Sequence, residues 1–325
     1  DVSTSSRATI GGMTGNNSCG ARSIRYGTMR DNVRAIDAFL IDGSAMHFGE
    51  ITSNEAPAII GERQALLANK LLGMGHSEND AIRAGFPDVM RRVGGYNVDA
   101  LLPGGSPKGE WSNGLVNRKQ LHPNLAHLLV GSEGTLGFST EILLDLQPLP
   151  KEKVLGICHF PTFYAAMDAT QHIVKLGPAA VELVDRNMIE LARGIPIFKE
   201  TVDRFVKDKP DAILLVEFAG DNLEEQVKDL NYVDELMSDL GYPGSVVKAI
   251  NPDFQKDIWE VRKSGLNIMM SMKGDGKPIS LLHLDAHTDV FTKVPHFLGA
   301  KKSAAHWGAY LVDQGHVDPA SSMQV

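Results

Sequence analysis

The chain has 325 residues, of which 43% are hydrophobic and 22% are charged, a composition typical of a globular protein of about two domains. Its formal net charge of −8 excludes the basic surface expected of a nucleic-acid-binding protein, and no apolar run reaches the roughly 18 residues of a membrane span. Two cysteines, Cys19 and Cys158, exclude a disulfide framework and a C-x-x-C metal pair, and they suit a reducing compartment.

The first 60 residues contain a glycine-rich stretch and a predicted hairpin. Residues 8–20 read ATIGGMTGNNSCG and are called here the first glycine segment. Residues 32–51 predict two strands, because Asp-Gly at positions 42 and 43 between β-formers indicates a hairpin turn.

Two helices and a strand–turn–strand unit follow. Residues 56–75 predict a helix that ends at a glycine, and residues 77–92 predict another that Pro87 interrupts. Residues 125–150 predict an apolar strand, a glycine-rich turn and a long strand. The turn, GSEGTLGFSTE at residues 131–141, is the second glycine segment.

Strands and helices alternate after Pro150. The predicted strands cover residues 153–160, 179–185, 211–220 and 244–250, and the predicted helices cover residues 161–177, 186–194, 222–241 and 253–272. This alternation indicates an α+β domain with a ferredoxin-like order of elements. We therefore predict two domains, residues 1–151 and residues 152–325.

The first glycine segment allows three interpretations. Glycines let backbone N–H groups approach a phosphate or a planar ring, and Asn16, Asn17 and Ser18 add polar groups. The spacing matches neither a P-loop nor the G-x-G-x-x-G fingerprint, so a plain glycine-rich turn remains the alternative. A reactive Cys19 is disfavoured because no histidine lies within 20 residues of it, and we expect it to be a packing residue. The second glycine segment raises the odds that one extended ligand lies across both.

Residues 259–278, WEVRKSGLNIMMSMKGDGKP, contain candidate substrate-binding cations. The Arg262 guanidinium has the geometry to bind a carboxylate with two parallel hydrogen bonds, and Lys277 adds a point charge. The alternative is a solvated ion pair between Arg262 and Glu260. His283 and His287 have the spacing of a helical metal pair, but no further ligand accompanies them, so no metal site is predicted.

Together these segments resemble the FAD-linked oxidase family, whose FAD domain is of the vanillyl-alcohol-oxidase, or PCMH, type. Residues 8–33 resemble its flavin loop, and residues 129–150 resemble its second flavin-contacting loop. The stretches RRVGGYNVDAL, GPAAVELVDRNMI, LLVEFAGD and WEVRKSGLNIMMSMKGDGKP extend the likeness from about residue 5 to residue 282. Within the family, the large bacterial D-2-hydroxyglutarate dehydrogenases and the related D-lactate dehydrogenases are the most similar groups.

The resemblance implies a partial PCMH-type FAD-binding domain, its second subdomain, followed by an incomplete ferredoxin-like α+β substrate domain. It implies FAD as the cofactor, with contacts from Gly11, Gly12, Asn16, Asn17, Ser18, Gly20, Glu133, Gly134, Thr135 and Gly137. Arg262 resembles the arginine that binds the substrate carboxylate, and Lys277 resembles a lysine near the same site. The family's His-x6-His metal pair does not carry over, because His306 and His316 are ten residues apart.

The implied activity is oxidation of a D-2-hydroxy acid by hydride transfer to the flavin. The electrons would pass to a quinone, a carrier protein or an iron–sulfur domain. Because the family's first flavin subdomain would precede Asp1 and an acidic strand after Ser280 has no counterpart, we expect a fragment of a longer protein. An inactive fragment and a flavin-binding subunit of a glycolate-oxidase-like complex are the alternatives. We expect a cytoplasmic location, or a peripheral one at the inner membrane.

Overall fold

The computed structural model describes residues 7–51, 62–87, 91–103 and 122–270, together with residues 2, 5, 89, 282–283 and 323–324. Contacts divide the chain into one unit of residues 1–268 and a second of residues 269–325. In the second unit, β8 (Leu282–His283) pairs in parallel with β9 (Met323–Gln324). The residues discussed below as site residues belong to the first unit, apart from Lys277, which lies outside the described residues.

The N-terminal half of the first unit is built on an antiparallel sheet of order β2-β1-β3, called here the N-terminal sheet. Its strands are β1 (Val33–Phe39), β2 (Ala45–Phe48) and β3 (Phe138–Leu144). The helices are α1 (Ile10–Gly15), α2 (Ser23–Tyr26), α3 (Met29–Asn32), α4 (Glu62–Ser77), α5 (Asn79–Gly85) and α6 (Ala126–Leu129), with a 3-10 turn at Val98–Leu101. The core of this half contains Ile36 of β1, Ala68 of α4 and Leu129 of α6.

The hairpin predicted at residues 42 and 43 is confirmed. Strands β1 and β2 pair antiparallel, with Phe39 opposite Ala45. Gly43 has a φ of 81°, a left-handed conformation that glycine adopts without the steric penalty of a Cβ atom.

One local prediction near the second glycine segment is wrong. Residues 126–129 form helix α6 rather than a strand, and the Asn124 side chain accepts the N–H of its first residue, Ala126, at 2.9 Å. A short apolar run does not distinguish a buried helical turn from a strand. The first glycine segment contains helix α1, whose N-cap Thr9 accepts the Gly12 N–H, so the alternative of a plain glycine-rich turn does not hold.

The C-terminal half of the first unit contains an antiparallel sheet of order β5-β6-β4-β7, called here the C-terminal sheet. Its strands are β4 (Glu152–Phe160), β5 (Ala180–Asp185), β6 (Ala212–Gly220) and β7 (Val246–Ala249). The helices are α7 (Phe163–Ile173), α8 (Arg186–Arg193), α9 (Pro196–Phe205), α10 (Leu223–Asp239) and α11 (Pro252–Met270), with a 3-10 turn at Val174–Leu176. Read across the sheet, the strands are the second, third, first and fourth of this half along the chain. This spatial order confirms the ferredoxin-like prediction.

The C-terminal sheet is covered on both faces. One face packs under α7 and α10, where a Cβ on Gly156 would lie 2.7 Å from Leu230 Cδ1, so glycine permits the close approach of α10. The other face carries Leu155, Ile213 and Leu215 and packs under α8, α9 and α11. This second face, called here the α11 face, also carries the charged residues of the candidate site. The domain division at residue 151 stays a prediction, since contacts group both sheets in one unit.

In the described part of the chain, every helix is either too short or too polar to pass through a bilayer.

His159, near the end of β4, is buried with both ring nitrogens in hydrogen-bond contact. Nδ1 lies 2.7 Å from the Ser245 carbonyl oxygen, and the Lys207 N–H donates to Nε2 at 3.0 Å. Nε2 also lies 3.1 Å from the Phe205 carbonyl oxygen. The Ser245 and Lys207 contacts suit a neutral imidazole in which Nδ1 donates and Nε2 accepts. Burial lowers the pKa of His159 below its ordinary value near 6.5.

The fold therefore loses stability at acid pH through His159. The unfolded chain binds the imidazole proton at higher pH than the folded chain, so unfolding becomes easier as pH falls from about 6.5 toward the folded-state pKa. His159→Asn keeps a donor near Ser245 and does not titrate. We expect urea unfolding at pH 7.5 and 5.5 to show a smaller acid destabilisation in this variant than in the wild type. An equal pH dependence in both proteins would contradict the assignment.

Candidate functional site

The two glycine segments lie side by side. The Gly131 N–H donates to the Thr14 carbonyl at 3.0 Å, and the Glu133 N–H donates to the Gly15 carbonyl at 2.8 Å. These backbone bonds join the last turn of α1 to the loop that follows α6. The structure therefore brings together the two sets of residues that the sequence predicted to contact one ligand.

The backbone of both segments is held in an unusual conformation. Asn17 has a φ of 50° and Glu133 a φ of 52°, while Gly131 and Gly134 have values of 81° and 77°. Positive φ is uncommon outside glycine and persists only where the surroundings fix it. The backbone hydrogen bonds between the two segments lie at these same positions and hold this conformation from within the protein.

The surface of the paired segments is open. Gly11, Gly12 and Asn16 are exposed in the first segment, and Glu133, Gly134 and Thr135 are exposed in the second. A Cβ atom on Gly11 or Gly134 would meet no protein atom within 4 Å. At Gly11 and Gly134 no side chain projects, so a ligand can approach the backbone closely there.

The other predicted cofactor residues are less accessible. Ser18, Gly20 and Gly137 are partly buried, and a Cβ on Gly137 would lie 3.1 Å from the Phe39 carbonyl of β1. Gly137 is therefore explained by packing of the loop against the N-terminal sheet.

Asn17 is fully buried and acts within the loop. Its Oδ1 accepts the Arg30 N–H at 2.9 Å, and its Nδ2 donates to the Arg92 carbonyl at 3.4 Å. Because both ends of its amide are bound to the protein, Asn17 shapes the first glycine segment. Its predicted contact with FAD stays a prediction.

A buried charged network supports both segments. Arg30, 5% exposed, donates from Nη1 to both carboxylate oxygens of Asp99 at 2.9 Å, and Arg92 Nη2 lies 2.7 Å from Asp99 Oδ2. Asn97 accepts from Arg30 and donates to the Val130 carbonyl at 2.7 Å, next to the second segment. Burial lowers the pKa of Arg30, although the Asp99 carboxylate opposes this effect.

Arg262 lies on α11 with its guanidinium against β5. Nε and Nη2 donate to one oxygen, Oε2 of Glu182, at 3.1 and 2.8 Å. Its ion-pair partner is thus Glu182 on β5, rather than the helix neighbour Glu260 proposed as the alternative. The Arg262 side chain remains 39% exposed, so it is accessible to a carboxylate.

A second arginine on the α11 face, Arg22, was not predicted as a site residue. Arg22 follows the first glycine segment, and its Nε and Nη2 donate to the two oxygens of Glu217 at 2.6 and 2.7 Å. This bond to Glu217 raises the pKa of Arg22. The available signal was Glu217 itself, an acidic residue inside the apolar strand AILLVEFAG.

Among the described residues, no cluster of three or more histidine, cysteine, aspartate or glutamate side chains is arranged to hold a metal ion. His287, His296, His306 and His316 lie outside the described residues.

Two known protein-family domains match parts of the chain. Residues 1–49 match the FAD binding domain, and residues 149–286 match the C-terminal domain of FAD linked oxidases. The two matches occur in the predicted order, so the chain is similar in two regions to the domains of FAD linked oxidases. The cofactor of this family is FAD, in agreement with the sequence prediction.

The chain is also similar to individual curated proteins. It is 27% identical over 296 residues to the D-2-hydroxyglutarate dehydrogenase of Haemophilus influenzae and 29% identical over 292 residues to that of Escherichia coli, with 86% of this chain and 27% of each relative covered. It is 25% identical over 264 residues to the mitochondrial D-lactate dehydrogenase [cytochrome] of Arabidopsis thaliana, covering 80% of this chain and 33% of that protein. The chain thus spans about a quarter to a third of the length of these relatives.

Among solved structures, an alkyldihydroxyacetonephosphate synthase is similar with a TM-score of 0.49 and 15% identity. The match covers 83% of this chain and 38% of that one.

Asn17 and Asn16 form a matched pair of variants. Asn17→Ala leaves the buried Arg30 N–H without its acceptor and places a Cβ-bearing residue without a polar side chain at positive φ. We expect a loss of about 2–4 kcal/mol in the free energy of unfolding. The exposed Asn16→Ala should change it by no more than about 0.5 kcal/mol. Urea denaturation of the two variants measures the difference, and equal stability would contradict the role given to Asn17.

Proposed function

We propose that this chain is part of an FAD-dependent dehydrogenase that oxidises a D-2-hydroxy acid of the D-2-hydroxyglutarate or D-lactate type. The observation that supports this most strongly is the position of Arg262. It lies on the same sheet face as Glu217, the residue that binds Arg22 beside the first glycine segment.

The register of the C-terminal sheet explains why these groups are neighbours. Ala180 lies opposite Glu217 and Glu182 lies opposite Leu215, so the two glutamates are diagonal neighbours on one face. Trp259 and Arg262 are one turn apart on α11 and therefore share a side of that helix. The Arg22 guanidinium lies 5.4 Å from the centre of the Trp259 ring.

Arg262 would bind the carboxylate of the hydroxy acid. Glu182 fixes the guanidinium by one edge and leaves donors on the rest of the fork for a bidentate contact. Anchoring the carboxylate orients the α-carbon, and holding reacting groups in a productive geometry lowers the barrier. Lys277, which lies outside the described residues, is proposed as a second cationic residue for the substrate on the family resemblance alone.

The exposed residues of the two glycine segments would hold FAD: Gly11, Gly12, Asn16, Glu133, Gly134 and Thr135. The partly buried Ser18, Gly20 and Gly137 would border it, and Asn17 would keep the first segment in shape. Bound FAD would supply the hydride acceptor for oxidation of the alcohol to a 2-oxo acid. Two buried donors near Arg22, Arg25 Nε and Trp259 Nε1, have no hydrogen-bond partner among the described residues, which suits an acceptor-rich ligand.

Anaerobic reduction of the flavin tests the proposal. The chain is mixed with FAD, and its visible spectrum is recorded after addition of D-2-hydroxyglutarate, D-lactate or the corresponding L-enantiomers. We expect bleaching by a D-acid and none by its L-enantiomer. Bleaching by the L-acids alone would contradict the proposal. A bound flavin that no acid reduces would instead favour the flavin-binding subunit.

Substitution of Arg262 tests its role in the same reaction. In the holoenzyme, Arg262→Ala should lower kcat/KM through a loss of about 3–5 kcal/mol in transition-state stabilisation. Arg262→Lys should lower kcat/KM less, because the charge is retained. Arg193→Ala on α8, which loses only exposed ion pairs with Glu190 and Asp203, is the matched control. Steady-state kinetics on the preferred hydroxy acid measures these effects. An Arg262→Ala enzyme with unchanged kcat/KM would exclude the assignment.

A further inference from the structure

We propose that Glu217 and Arg22 are positioning residues that fix the first glycine segment to the C-terminal sheet and so set the place of the flavin relative to Arg262. The role toward the flavin rests on the function proposed above. The contact between Glu217 and Arg22 does not rest on the proposed function, because it is part of the fold itself.

Glu217 lies in a setting that requires a cationic partner. Glu217 is 1% exposed, and the residues directly opposite it on the adjacent strands are Ala180 of β5 and Leu155 of β4. Leu155 is in turn paired with Ala249 of β7. A carboxylate in such an apolar row is strongly unfavourable unless it is paired and hydrogen bonded.

Arg22 supplies that partner from a distant part of the chain. Its two bonds to Glu217 are parallel and bidentate, the geometry in which arginine binds carboxylates most strongly. The Arg22 side chain is 26% exposed and that of Glu217 is 1% exposed, so the acidic member of the pair is the buried one. The pair joins residues 1–49, which match the FAD binding domain, to residues 149–286, which match the oxidase C-terminal domain.

Two further contacts hold the stretch that follows the first glycine segment. Arg25 donates from Nη1 to the carbonyl oxygen of Ala219, two residues beyond Glu217 on β6. The Arg22 guanidinium also lies over the Trp259 ring of α11. Since α11 carries Arg262, the stretch that follows the first glycine segment and the candidate carboxylate anchor both contact this helix and this sheet face.

This arrangement makes a specific prediction about Glu217. Neutralising it should release residues 19–27 from the sheet without unfolding the sheet, because β6 keeps its ladder bonds to β4 and β5. Release of the segment should also weaken FAD binding, although Glu217 lies inside the sheet face and not on the glycine surface.

Hydrogen exchange on the full chain tests the positioning role. In Glu217→Gln, the amides of residues 19–27 should exchange at least about tenfold faster than in the wild type, while those of β4 and β6 stay unchanged. Asp203→Asn, which breaks an exposed pair with Arg193, is the matched control and should leave residues 19–27 protected. Wild-type protection of residues 19–27 in Glu217→Gln would overturn the proposal. So would faster exchange spread evenly over β4 and β6, which would show a general loss of stability.

A double variant covers the case in which Glu217→Gln does not fold. Arg22→Met with Glu217→Leu removes both charges together, and a buried ion pair replaced by apolar residues of similar size leaves a stable core. Residues 19–27 should still exchange faster, since the two charge-assisted bonds are gone. Full protection in this folded variant would overturn the proposal.

Titration with FAD, followed by quenching of flavin fluorescence, separates this proposal from the proposed function. Where the wild type binds FAD, Glu217→Gln should bind it at least about tenfold more weakly, and unchanged affinity would overturn the positioning role toward the flavin. Where the wild type binds no FAD, the proposed function and the flavin role fail together. The exchange experiment then still decides whether the pair fixes the segment.

Discussion

A carboxylate buried in an apolar sheet is the constraint on which the site depends. Glu217 lies in the middle of β6 with small and aliphatic neighbours on both adjacent strands, and such a charge is tolerated only with a close cationic partner. Arg22 meets this requirement from the other half of the unit. The electrostatics of one buried residue therefore determine where the segment after the first glycine loop must lie.

The surface formed by the two glycine segments, residues 8–20 and 131–141, depends on backbone contacts rather than on an ion pair. Hydrogen bonds from Gly131 and Glu133 to Thr14 and Gly15 align the two segments, and left-handed residues in each segment turn the chain there. The Arg30–Asp99 network below this surface fixes both segments from the protein side. Exposed glycines thus lie on the outside of the paired segments, and a buried polar network lies beneath them.

Elements with strong local signals could be predicted from the sequence. The hairpin at Asp42 follows from turn chemistry, and the ferredoxin-like sheet follows from alternating strands and helices that end at glycines. Helix α6 was missed because its apolar run is shorter than the length at which a helical period becomes visible. The glycine segments could be identified, whereas the buried position of Asn17 depends on Arg30 and Arg92, whose proximity only the tertiary fold establishes. The partners of Arg22 and Arg262 likewise lie far along the chain, so sequence spacing gave no means of choosing Glu217 and Glu182.

Photo-crosslinking with 8-azido-FAD tests most directly whether the two glycine segments form one flavin surface. After irradiation of the chain with this analogue, peptide mapping locates the labelled residues. We expect labels in both residues 8–20 and residues 131–141, lost on competition with unmodified FAD. Competable labelling confined to other parts of the chain, such as α10 on the opposite face of the C-terminal sheet, would contradict this site.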